Sequence, residues 1–92
     1  MSLEFDEAKN AKNVRDRGIS FERFVDMDLD TAVSVEDIRS NYGERRIRIV
    51  GRIDGRLHVA VITLRGDKVR VISLRRANRR EERAYAKERQ SS

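Results

Sequence analysis

The sequence predicts an α+β domain: two N-terminal helices, a four-stranded antiparallel sheet and a C-terminal helix. Three observations carry this expectation. Apolar residues recur at three-residue spacing before Gly18, as in Ala8, Ala11 and Val14. After Thr31 the period changes to two, with Ile47, Ile49, Gly51 and Ile53 alternating with Arg46, Arg48, Val50 and Arg52. Two turn pairs, Asp54-Gly55 and Gly66-Asp67, then divide the alternating segments.

The first helix is expected from Asp6 to Arg17, with Leu3 and Phe5 widening its thin apolar stripe. Asp6 and Glu7 open it and Arg15 and Arg17 close it, which suits the helix dipole. Gly18 is a left-handed cap and Ser20 caps a second helix, with Phe21, Phe24 and Val25 on one face. Thr31–Val35 reads as an edge strand and Glu36–Glu44 as a polar loop ending at Tyr42-Gly43. Three hairpin-linked strands follow as a meander, one face of which carries arginine. Asn78 and Glu81 make a capping pair for a helix over Arg79–Arg89, whose apolar face holds little besides Ala84 and Tyr85. Residues 1–92 suit a single domain, with 90–92 as a disordered tail.

Composition narrows the function. Charged residues make up 40% of the chain, hydrophobic residues 38%, and the mean hydropathy is −0.73. That charge content far exceeds the ordinary value of about 25%. Without cysteine there is neither a disulfide framework nor a thiolate zinc site. No apolar run is long enough for a membrane span and no leader pattern opens the chain, so a cytoplasmic protein without membrane contact is expected. Residues 1–44 hold 6 Lys/Arg against 11 Asp/Glu, a net −5, whereas residues 45–92 hold 15 against 5, a net +10. Most of the second set is arginine, which binds phosphate bidentately and stacks on bases. Nucleic acid is therefore the expected partner of the second half. A pure interaction module would explain the acidic half but not the arginine half.

A nucleic-acid partner needs cations at its phosphates, and any chemistry on it needs groups that move protons. Arg75, Arg76, Arg79 and Arg80 supply cations where the last strand meets the last helix. Arginine in a first helical turn opposes the dipole, so its presence there points to a bound phosphate shared with free backbone N–H groups. Arg70 lies on the same strand, on the face opposite Ser73 if the strand is regular. Glu81 and Tyr85 share a helix face and could act as base and as phenol, or as cap and packing residue. Lys9 and Asn13 share a face of the first helix. His58, the only histidine, reads as a structural strand residue. Asp26, Asp28 and Asp30 lack the glycine and glutamate of a calcium loop and read as a helix-end surface. Neither a metal site nor a cofactor is expected.

In order and spacing the pieces resemble the BrnT family of type II toxins, related in fold to RelE-like ribonucleases. The opening Glu4-Phe5-Asp6-Glu7-Ala8-Lys9 with Asn13 matches the family's F/E-W-D-x-x-K-x-x-x-N. Gly18-Ile19-Ser20-Phe21-Glu22 matches G-V-S-F-E, and Arg70 through Ala77 with Glu81 and Tyr85 matches R-x-I-S-A-R-x-A and its trailing E-x-x-x-Y. Arg17 stands where histidine is common, and Phe5 where tryptophan is. The resemblance implies a metal-independent endoribonuclease toxin with Arg70, Glu81, Tyr85 and Lys9 as catalytic residues. Arg75, Arg76, Arg79, Arg80 and Ser73 would bind RNA phosphates. It also implies a BrnA-like antitoxin and operator DNA bound only through the toxin–antitoxin complex. The alternative is a non-catalytic nucleic-acid-binding domain on the same scaffold, which Arg17 in place of histidine would suit.

Overall fold

A computed structural model describes residues 2–38 and 43–91. The element order is β1 (Ser2–Glu4), α1 (Glu7–Arg17), a 3-10 helix (Phe21–Asp26), β2 (Asp28–Asp37), β3 (Arg46–Ile53), β4 (Arg56–Arg65), β5 (Lys68–Arg76) and α2 (Arg79–Ser91). One five-stranded mixed sheet runs β1-β5-β4-β3-β2. This corrects the expected four-stranded antiparallel meander. The added strand is the segment around Leu3, read from sequence as part of a helical stripe. It pairs parallel with β5, Ser2 opposite Lys68 and Glu4 opposite Arg70. Three residues are too few to display a period, so only the neighbouring strand reveals them as β.

The second N-terminal helix is also corrected. It is a six-residue 3-10 helix, so among the described residues α1 is the one α-helix before β2. Phe21, Phe24 and Met27 are spaced by three, and three residues per turn aligns them as one buried row. Val25, expected on that face, is 67% exposed. Ser20 caps this turn, its hydroxyl accepting from the Glu22 N–H.

α1 begins at an Asp6 cap and ends at Gly18, whose φ of 72° lies in the left-handed region that glycine adopts without strain. Its docking is not apolar, since Ala8, Ala11 and Val14 are all exposed. Asn13 is the buried residue instead, at 8% exposure. Its amide Nδ2 donates to the Ile19 carbonyl at 2.9 Å and to the Leu74 carbonyl at 2.8 Å. Leu74 lies beyond Arg70, the last β5 residue paired with β1, so a side chain serves its carbonyl where the strand partner has ended. Asn10 adds a second tie, its Oδ1 accepting from the Phe21 N–H at 2.7 Å.

β2 spans Asp28–Asp37 as the sheet edge, longer than expected at both ends, with a register shift between Asp28 and Val33. Asp28 accepts from the Asp30 N–H and the Thr31 hydroxyl and Asp26 pairs with Arg23, so these acids stabilise local turns. Asp54-Gly55 and Gly66-Asp67 join β3 to β4 and β4 to β5. Tyr42 of the expected polar loop lies outside the described residues, as does Ser92. Gln90 and Ser91 continue α2 where a loose tail was expected.

The main core fills one face of the sheet: Phe21, Phe24 and Met27 pack on Ile49, Ile53, Ala60, Ile62, Val69, Val71 and Leu74. α2 covers part of the other face.

Asn13→Ala would leave the Leu74 and Ile19 carbonyls short of a donor in a buried place, a loss of about 2 kcal/mol expected in urea unfolding. At Gly51 a Cβ would come within 2.8 Å of Met27 Cγ and Sδ and 3.1 Å of Ala32 Cβ. Gly51→Val should therefore lower the thermal midpoint, at a cost of about 1–3 kcal/mol from overpacking.

Candidate nucleic-acid interface

Strand alternation sorts the arginines. On β3, Ile47, Ile49, Gly51 and Ile53 turn toward the core, so Arg46, Arg48, Val50 and Arg52 turn toward the α2 side. On β5 the same rule is interrupted. Val61 pairs with Ser73 but Ile62 pairs with Val71, which makes Ile72 the extra residue of a bulge. The buried positions accordingly run Val69, Val71, Leu74 rather than Val69, Val71, Ser73. A regular strand would put Arg70 and Ser73 on opposite faces. The bulge returns Arg70, Ser73 and Arg75 to one face, together with Arg46 and Arg48.

Two acids hold this arginine face. Arg70 Nη1 lies 3.9 Å from Glu4 Oε1, its register partner on β1. Arg75 meets Glu81 bidentately, Nη1 to Oε1 at 2.8 Å and Nη2 to Oε2 at 2.7 Å. The same Glu81 accepts from the Asn78 N–H at 2.9 Å, while Asn78 Oδ1 accepts from the Glu81 N–H at 2.8 Å. That reciprocal box sets the start of α2. With the Glu82 N–H given to the Asn78 carbonyl, these amides of the helix start are already occupied.

The Glu81 carboxyl is held down to about 2, chiefly by the Arg75 guanidinium, with the Asn78 N–H and the charges of Arg75 and Arg48 adding to it. Such a carboxylate is ionised at neutral pH and is a weak base. Further along α2, Tyr85 is 8% exposed and its hydroxyl donates to the Thr31 carbonyl of β2 at 2.8 Å. The Arg52 guanidinium lies 5.5 Å from the centre of its ring. The phenol thus anchors α2 across the sheet.

Of the residues expected at the site, the fold brings Arg70, Ser73, Arg75 and Glu81 to one side of the sheet. Lys9, on α1, shares a cleft with Ser73 of this group. Asp6, whose carboxyl is lowered first by the Lys9 backbone N–H, also feels the charges of both Lys9 and Arg70. Lys9, Asn13, Arg17, Ile72 and Ser73 line one cleft of about 220 Å³. Arg76, next to Arg75 on a strand, faces the opposite way and lines a different cleft with His58. Arg79 and Arg80 are exposed on the first turn of α2. Arg46 and Arg48 were not singled out from the sequence, although their alternation with Ile47 and Ile49 is a readable signal. Among the described residues no group of three His, Cys, Asp or Glu side chains could hold a metal ion. No described helix is long and apolar enough to cross a membrane.

A carboxyl depressed in the folded state stabilises above its ordinary value of 4.5 and loses that contribution as the pH falls toward about 2. Glu81→Gln should cost about 1 kcal/mol at neutral pH, and the gap to wild type should close as urea midpoints are followed from pH 5 to pH 2.

None of the curated proteins matches the chain. Residues 5–81 match the family described as "Ribonuclease toxin, BrnT, of type II toxin-antitoxin system". The matched span runs from Phe5, just after β1, to Glu81 in the first turn of α2, and so contains the bulged β5 with its arginines. Membership implies an RNA substrate and an antitoxin partner. The chain belongs to the BrnT family of ribonuclease toxins.

Proposed function

We propose that the chain is a metal-independent endoribonuclease that cuts an RNA strand laid across the arginine face. The observation that carries this reading is Arg75, aimed by its bidentate pair with Glu81 and placed by the bulge on the same face as Arg70 and Arg48. In this reaction the 2′-oxygen attacks the adjacent phosphorus and gives its proton to water, while the bond to the 5′-oxygen breaks and that oxygen takes a proton from water, leaving a 2′,3′-cyclic phosphate and a 5′-hydroxyl. Negative charge builds on the non-bridging oxygens, where guanidinium groups fixed in advance stabilise the transition state more than the ground state. Arg70 and Arg75 carry that role, and Lys9 adds positive charge from α1. Glu81, too weakly basic to take the 2′-proton, positions Arg75. Tyr85 acts by fixing α2.

A BrnA-like antitoxin would neutralise the protein in the bacterial cytoplasm, and operator DNA would be reached only through their complex. The metal-independent route rests on the fixed guanidinium groups, which supply the positive charge that a metal ion supplies in other nucleases. A non-catalytic RNA-binding domain is the competing reading, favoured by the structural commitment of both Glu81 and Tyr85.

Cleavage and binding separate the two. Arg70→Gln and Arg75→Gln should each slow single-turnover cleavage by roughly tenfold or more, about 1.4 kcal/mol of barrier. Affinity for a non-cleavable 2′-O-methyl RNA should fall less, because other arginines maintain the grip. Tyr85→Phe should lower stability by about 1 kcal/mol and leave the rate within a few-fold of wild type. Circular dichroism checks that each variant is folded. Proportional losses of rate and affinity, or a wild type that cuts no RNA and does not slow bacterial growth when expressed alone, would establish the binding domain instead.

A further inference from the structure

The core-side face of the sheet carries a second basic site at the end where α1 gives way to the 3-10 helix. A cleft of about 490 Å³ opens there, walled by Arg17, Arg23, Arg56, His58 and Arg76 with Ser20 and Asp54. The five basic residues come from four places in the chain: the end of α1, the 3-10 helix, the start of β4 and the end of β5. Arg23 is neutralised by ion pairs with Asp26 and Asp54. Arg17, Arg56 and Arg76 have no carboxylate partner among the described residues. Position at a helix C-terminus accounts for Arg17, since a cation there suits the dipole. It accounts for neither Arg56 nor Arg76. Asp54, the one acid on the cleft wall, is taken by Arg23, so these three cations repel one another, an arrangement that an anion relieves.

His58 adds an independent sign of a ligand. The residue is only 6% exposed, and its Nδ1 lies 2.7 Å from the Arg56 carbonyl oxygen. A carbonyl can only accept, so Nδ1 carries the proton and donates. Nε2 is the remaining polar atom of the ring and has no protein partner among the described residues. A side chain more than nine-tenths buried thus presents an unused polar atom in a cleft lined by unpaired guanidinium groups.

We propose that the cleft formed by Arg17, Arg56, His58 and Arg76 is a second phosphate site, which holds a backbone phosphate of the RNA strand away from the Arg70–Arg75 face. Arg75 and Arg76 are neighbours on β5 and point to opposite faces, so a single strand passing around the end of β5 meets one after the other. The cleft acts as an anchor that sets how far the RNA extends beyond the point of cutting. The identity of the strand rests on the ribonuclease reading; the phosphate chemistry does not.

The single histidine makes the site directly observable, because its ring gives one set of imidazole NMR signals. The wild-type chain is titrated with a 2′-O-methyl oligoribonucleotide of about twelve nucleotides, long enough for a single-strand site of usual size. Separate titrations use inorganic phosphate and a mononucleotide. The RNA should shift the His58 ring signals. The Arg17→Gln/Arg56→Gln variant, whose changes are at exposed positions, should lose that shift while keeping a dispersed amide spectrum. Its affinity for the same RNA should drop about tenfold, and its salt slope should fall by about 0.7 for each phosphate no longer neutralised. A His58 ring unmoved by the RNA, or a variant with the wild-type salt slope, overturns the proposal. Movement with phosphate or mononucleotide but not with the RNA also overturns it, and identifies a small-anion site. The RNA cannot be cut in this experiment, so a failure of the catalytic reading leaves its outcome untouched.

Discussion

The buried amide of Asn13 joins pieces of the chain that nothing else on α1 could join. α1 has almost no apolar face to bury, and burial of methyl groups cannot dock it. Asn13 instead spans from the Ile19 carbonyl, just beyond its own helix, to the Leu74 carbonyl on β5. A hydrogen bond between buried groups is worth only about 1 kcal/mol net, but an orphaned buried carbonyl costs more, and this makes the tie specific. Asn10 repeats the logic by holding the Phe21 N–H, which delivers Phe21 and Phe24 to the core. The placement of Lys9 on one cleft, and of Arg17 on that cleft and the next, follows from where these asparagines hold the helix.

A second constraint is the concentration of arginine on a sheet only five strands wide. Bringing like charges together is unfavourable, and the fold manages it in two ways. Glu4 and Glu81 sit beside Arg70 and Arg75, offsetting charge while fixing guanidinium orientation. Elsewhere Arg17, Arg56 and Arg76 are left uncompensated. Orientation on one face and uncompensated charge on another correspond to different tasks. A transition state needs donors already aimed, whereas a backbone phosphate needs chiefly net positive charge.

Several features were legible in the residues because they are local. Asp54-Gly55 and Gly66-Asp67 are turns because few other residue pairs tolerate that backbone, and Gly18 ends α1 for the same reason. Asn78 and Glu81 cap α2 because the box is a matter of three-residue spacing. Other features misled because a distant partner decided them. Leu3 looked like helix until β5 was beside it. Phe21, Phe24 and Val25 fit an α-helical face, but the core accepted the three-residue period and left Val25 in solvent. Between chemistry and a role as cap and packing residue the sequence leaves Glu81 and Tyr85 open, and their contacts with Arg75 and Thr31 come only with the fold.

By itself the sequence determined the alternation of β3 and β4, the turns between strands, the helix caps, the basic second half and the family. Each depends on neighbours in the chain or on composition, quantities that exist before folding. The tertiary structure alone decided the fifth strand, the polar docking of α1 and the division of the arginines between two faces. The bulge at Ile72 shows why. One unpaired residue reverses every side chain after it, and a bulge is defined by the count of residues on the opposite strand, which no stretch of a single strand contains.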